Sequence, residues 1–201
     1  MSPWPRLRGA PSGAGRDRRG SAREPRRYGI GLVAVGGSRD QGVMTRIREA
    51  APGDIDAMVR LNGMVQRLHA RHRPDLFVAE PSQAGMTERF RGWLGDEAAT
   101  LLVAESDEGE VVGYTFCRVE RREASVITLP AAVVSMEHLA VDPAAARSGV
   151  GAALVEAVRE VGRRAGCRRL AASVWEFNSA ARPFYEVIGL RPMQVRMDQP
   201  L

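Results

Sequence analysis

Glu137-His138-Leu139-Ala140-Val141-Asp142-Pro143-Ala144-Ala145-Ala146-Arg147-Ser148-Gly149-Val150-Gly151-Ala152-Ala153-Leu154 is the stretch that decides how this chain is read. The apolar run predicts a strand over 132–141, stopped by Asp142-Pro143. A loop of small residues follows, then a helix from about Gly149 to Arg164 with Gly166 as its C′ residue. The first turn of a helix presents N–H groups without intrahelical partners, here those of Gly149, Val150, Gly151 and Ala152, at the positive end of the dipole. Gly149 and Gly151 bring no side chains, so a phosphate has access to those donors, and Arg147 and the Ser148 hydroxyl add contacts. The same residues also describe a tight turn whose glycines serve packing alone. Other phosphate loops fit less well. A chain without a single Lys excludes a Walker-type loop. A dinucleotide fingerprint needs three glycines after an early strand, and here two are in register, late in the chain.

Outward from this stretch, the pattern alternates between strands and helices. Thr45–Ala50 has the alternation of a short strand. Asp54 is a good N-cap for a helix carrying Ile55, Met58, Val59, Leu61, Val65 and Leu68 at helical spacing, interrupted at Pro74. Ser82 caps a second helix through Met86, Phe90, Trp93 and Leu94. Leu101–Ala104 reads as a buried strand, Asp107–Glu110 as a hairpin turn, and Val111–Val119 as the returning strand. Beyond the central helix, Leu170–Trp175 is a strand, Asn178 or Ser179 starts a short helix that Gly189 ends, and Leu190–Met197 completes the sheet. The order β-α-α-β-β-β-α-β-α-β gives an α/β layer fold on a mixed sheet flanked by helices.

The 201 residues suffice for one domain, and 44% hydrophobic residues fit a globular one. Charge is uneven. The formal net charge is +5, but residues 1–43 hold nine Arg against Asp17, Glu24 and Asp40, and the remainder is close to neutral. The basic balance therefore says nothing about a nucleic-acid surface on the folded part. Nucleic-acid binding, if any, belongs to the leader and disappears with it. Residues 1–43, rich in Gly, Pro, Ser and Arg, read as a disordered leader, or as an annotated start placed before a true start at Met44. A basic part ending at Arg26-Arg27 before Ile30–Val35 resembles a signal peptide only faintly. Cys117 and Cys167 form no disulfide framework and match no metal spacing, so a cytoplasmic protein without bound metal is expected. His69-x-x-His72 near Asp75 reads as a solvated helix face rather than a metal site.

The quoted stretch resembles the acetyl-CoA-binding motif of the GNAT acyltransferase superfamily, [QR]-x-x-G-x-[GA], with Gly149 and Gly151 at its glycine positions and Asp142-Pro143 before the loop. One departure stands out: Ala146 holds the usual Gln/Arg position, and the arginine follows at Arg147. A second segment, Asn178 to Leu190, resembles the superfamily's N-x-x-A-x-x-F-Y-x-x-x-G-[FL], matched by Asn178, Ala181, Phe184, Tyr185, Gly189 and Leu190. The resemblance extends from Met44 to about Met197 and implies one GNAT domain at 44–201 that transfers an acetyl group from acetyl-CoA to an amine by direct attack in a ternary complex. It implies that Leu139, Ala140 and Val141 offer backbone groups to the pantetheine arm, that Glu137 is the general base and that Tyr185 protonates the leaving thiolate. A backbone N–H near Leu139 would stabilise the oxyanion.

Strand alternation puts Glu137 and Leu139 on one face and His138 on the other. Asn178 ties down either the cofactor or the last helix, as an ordinary N-cap. The acceptor site is expected over Arg67–Gly95, with Phe77, Phe90 and Trp93 in its lining. The acceptor is open, from small-molecule amines to protein N-termini, and homodimers are common in the family. The alternative is a non-catalytic acyl-CoA-binding sensor or regulatory module, to which the Ala146 departure belongs.

Overall fold

The computed structural model describes residues 33–35 and 45–199. Six strands form one sheet in sequential order: β1 (Val33–Val35), β2 (Thr45–Glu49), β3 (Ala99–Glu105), β4 (Val111–Arg122), β5 (Ala131–Val141) and β6 (Arg169–Ala172). Neighbours are antiparallel up to β5, and β6 lies parallel to β5. The crossover between these last two is α3 (Val150–Arg164), as a parallel pair requires.

Two apolar clusters explain the sequence pattern. On one face, α1 (Ile55–His72) and α2 (Gln83–Leu94) bury Ile55, Met58, Leu61 and Phe90 against Leu101, Val103, Tyr114 and Phe116. On the other, α3 buries Leu154, Val155, Val158 and Val161 against Ile47, Leu102, Ala104, Val134 and Met136. Leu101-Leu102-Val103-Ala104 is apolar without alternation because β3 is covered on both faces. Ser82 Oγ accepts from the Gly85 N–H and caps α2. Asp54 is the N-cap residue of α1, as expected, but its side chain caps no amide of that helix; it closes a 3-10 turn over Pro52–Asp54 instead. Its carboxylate accepts from the Ala51 N–H and from Arg48.

Glycines set the approach of α3 to the sheet. A Cβ on Gly113 would lie 3.1 Å from Val150 and 3.2 Å from Leu154, and one on Gly162 only 2.6 Å from Val134. These two positions let the helix settle directly onto β4 and β5.

Three expectations need correction. Leu190–Met197 forms no strand: residues 191–199 are exposed and outside any ladder. Pro192 has no N–H to give, and β6, at four residues, offers little to pair with. Val33–Val35 is a strand on β2 although it falls in the segment read as a disordered leader; the rest of 1–43 lies outside the described residues. The alternation along β5 is also broken. Its register to β4 passes from Cys117↔Met136 to Phe116↔His138, so Glu137 is an extra, bulged residue. Met136 and Leu139 both pack with α3, three positions apart, while His138 meets Phe116 and Trp93 on the α1/α2 side. Glu137 thus shares a side with His138 rather than with Leu139.

Candidate active site

The pairing of β5 with β6 ends at Met136↔Ala172. From Glu137 onward the two strands separate, and the edge of residues 137–141 that faces away from β4 carries no strand partner. This opening runs from the bulge at Glu137 to the loop that leads into α3.

At the loop end, Asp142 accepts from the Ala144 N–H and pairs with Arg60 at 2.6 Å, which anchors the turn to α1. Arg147 and Gly149 both adopt left-handed backbone, φ 64° and 91°. Gly149 is the N-cap of α3, no side chain caps it, and the first helical bond runs from the Ala153 N–H to the Gly149 carbonyl. The amides of Val150, Gly151 and Ala152 therefore have no acceptor inside the helix. A Cβ on Gly149 would meet nothing within 4 Å, so the space beside Gly149 itself is open. The residues present fit a diphosphate. The two glycines divide the roles weighed from sequence: at Gly151 a Cβ would lie 3.2 Å from the Phe184 ring, so this one makes room for packing. The Ser148 hydroxyl donates to the Ala145 carbonyl and braces the loop.

At the bulge, Glu137 faces Arg118 at 3.7 Å, and Arg118 holds Asp96 more closely at 2.6 Å. Half-buried Leu139 and Val141 pack toward α3, and Ala140 is buried on the opposite side. Tyr185 lies on α4 (Ala181–Val187), half-buried against the α3 cluster. Burial pushes its phenol up to about 12. Its hydroxyl has no hydrogen-bond partner among the described residues and is not sealed from solvent. Asn178 Oδ1 accepts from the Ala181 N–H and ties the turn that leads into α4, whose N-cap is Ala180 rather than Asn178.

The aromatic residues expected around an acceptor separate into two groups. Phe90 and Trp93 join Tyr114, Phe116 and His138, with Trp93 stacked on Phe116 at 4.3 Å and edge-on to His138 at 5.0 Å. Phe77 instead meets His69 and Trp175, His69 also meets Phe177, and His72 stacks on Phe177 at 4.7 Å. The two histidines of α1 are thus ring partners, and no group of three metal-ligating side chains occurs among the described residues. Sequence reading missed the polar set within the first group. Asn62 Nδ2 donates to Tyr114 Oη at 2.8 Å and lies 3.2 Å from His138 Nδ1, as does the Tyr114 hydroxyl. The available signal was an Asn on the apolar stripe of α1, between Met58 and Val65.

No helix among the described residues is long and apolar enough to cross a membrane. The chain matches the family model "Acetyltransferase (GNAT) family" over residues 65–190, well over half its length. No curated protein sequence matches it. Among solved structures it is similar to a tetramutant of the BH1408 protein from Bacillus halodurans, at 25% identity and TM-score 0.72, covering 77% of this chain and 99% of that one. It shares the fold of the aminoglycoside 6'-N-acetyltransferase AAC(6')-Ih from Acinetobacter baumannii, at 14% identity and TM-score 0.61 over 78% and 99% of the two chains. The same holds for the aminoglycoside N-acetyltransferase AAC(6')-Iy in complex with CoA, at 17% identity and TM-score 0.64 over 80% and 97%. With the mixed sheet and its flanking helices agreeing with that match, this chain belongs to the GNAT acetyltransferase family.

Proposed function

We propose that this protein transfers the acetyl group of acetyl-CoA to a primary amine by direct attack in a ternary complex, in the cytoplasm. The observation that carries this reading is the end of β5–β6 pairing at Met136↔Ala172. It leaves a slot with Glu137 at one end and the uncapped amides of α3 at the other. Val150, Gly151, Ala152 and the Gly149 amide would hold the diphosphate, with Arg147 beside them. Backbone groups of Leu139, Ala140 and Val141 would receive the pantetheine arm as an added strand does. Asn178 supports this end of the slot by holding the turn into α4. Acetyl-CoA supplies an activated acyl thioester.

The protein's own groups handle the protons. An alkylamine is protonated at neutral pH and cannot attack until a base removes that proton. Glu137 is the carboxylate at the mouth of the slot and takes it, directly or through water. Tyr185, kept protonated by burial, gives a proton to the departing sulfur. Neither Cys117, buried in β4 on the α3 side, nor Cys167 lies on this path. Isothermal titration with acetyl-CoA, followed by thiol release measured across an amine panel, tests the proposal. Binding together with transfer supports it. Tight binding without transfer to any amine replaces it with a non-catalytic acyl-CoA-binding module, a reading to which Ala146 in the phosphate loop points.

A further inference from the structure

Beside Glu137 is a second group of side chains that the acetyl transfer itself does not use. His138 Nδ1 faces two donors, the Asn62 amide and the Tyr114 hydroxyl, each at 3.2 Å. An Nδ1 that accepts leaves the ring proton on Nε2. That Nε2 has no partner among the described residues and is not sealed from solvent. It is a fixed N–H donor on the side of β5 to which the bulge also turns Glu137.

The Arg89 guanidinium lies over the Trp93 ring, 4.7 Å from its centroid. The same ring meets His138 edge-on at 5.0 Å. The two other arginines lying over aromatic rings here are neutralised: Arg118 by Asp96 and Glu137, and Arg73 by Asp75 and Asp198. Arg89 forms no ion pair among the described residues. Its charge is felt by both His138 and Tyr114. A cation and an N–H donor on one aromatic platform, next to a carboxylate, match an acceptor that is itself a zwitterion.

We propose that Arg89 and His138 form a carboxylate-recognition site, so that the preferred acceptors are small amines bearing a carboxylate, with the amino group toward Glu137. This rests on the acetyltransferase reading above. A guanidinium and an imidazole N–H satisfy the two oxygens of a carboxylate through charge-assisted hydrogen bonds. The Trp93 ring holds the guanidinium in place and reduces its loss of freedom on binding.

The test uses the full chain with acetyl-CoA and matched acceptor pairs: phenylalanine with phenylalaninamide, and 4-aminobutyrate with its amide. Thiol release gives kcat/KM per free amine. The acid-to-amide ratio is expected well above one in the wild type. It should fall by about 10- to 100-fold in Arg89→Gln, the range for one charge-assisted hydrogen bond, mainly through KM, with Arg89→Lys retaining part of the preference. Taking a ratio cancels any general loss of folded protein. Amides acetylated as well as acids by the wild type, or a ratio unchanged by Arg89→Gln, overturn this inference and leave the acetyltransferase reading standing. Acetyl-CoA bound with no amine acetylated overturns both.

Discussion

Glu137 owes its place to one extra residue in β5. Without the bulge it would share a face with Leu139; with it, the carboxylate stands beside His138 where β5 and β6 part. Glu137→Gln is expected to lower kcat/KM at neutral pH by about 10²-fold, the usual contribution of a general base. The deficit should shrink as pH approaches the acceptor's own pKa, because free amine then forms without help. A pH–rate profile parallel to that of the wild type would remove Glu137 from this role. Tyr185→Phe should also cost about 10²-fold in kcat. Since burial holds the Tyr185 phenol at about 12, the wild-type profile should show no falling limb from this group below that value. His138 also acts on stability. Burial, and then the charge of Arg89, lower its imidazole to about 4, against about 6.5 for a free histidine. Between these values the unfolded chain binds more protons than the folded one. Stability therefore rises with pH through this window and is lost on acidification, by at most about 3 kcal/mol. Urea midpoints measured from pH 7 to 4 should fall more steeply for the wild type than for His138→Gln. His69, which burial also lowers, leaves the variant a residual slope. Identical slopes would refute the assignment.

Among the elements, α3 combines two demands. Its first turn must stay open, and its middle must lie close on the sheet. Arg147 and Gly149 in left-handed backbone turn the chain sharply into the helix without a side-chain cap. Gly162 meets the second demand, since a Cβ there would sit 2.6 Å from Val134. Gly162→Ala is expected to lift the helix or displace Val134. The overpacking costs about 1–3 kcal/mol, offset by up to about 1 kcal/mol of helix propensity. A lowered urea midpoint is the readout, and an unchanged midpoint would show that the contact relaxes freely. The segment 190–199 illustrates the opposite case. Met193, Val195 and Met197 alternate as in a strand, yet they are 61%, 76% and 84% exposed. The segment is held instead by Asp198 on Arg73 and by Met193 against Arg169. Alternation alone cannot form a ladder when Pro192 withholds a donor and the neighbouring strand is four residues long.

For the whole molecule, the two described core clusters begin at Ile47 and at Ile55, while β1 adds only an outer strand to β2. A chain starting at Met44 is expected to unfold in a single cooperative transition within about 4 °C of the full chain, a difference of less than about 1 kcal/mol. Loss of that transition in a thermal melt would make residues 1–43 part of the folding unit. Helices α1, α2 and α3 and strands β2 to β6 were legible in the sequence because their apolar periodicity reflects which faces are covered, and burial is imposed residue by residue. The uncapped turn into α3 was legible for the same kind of reason: it is a run of consecutive backbone amides, and consecutive residues are what a sequence displays. What tertiary structure alone decided are the relations across strands. The Glu137 bulge depends on the register of β5 against β4, and the Asn62–Tyr114–His138 set joins residues 52 and 24 positions apart. Such contacts follow from how sheet and helices close on each other, and no local pattern of residues encodes that closure.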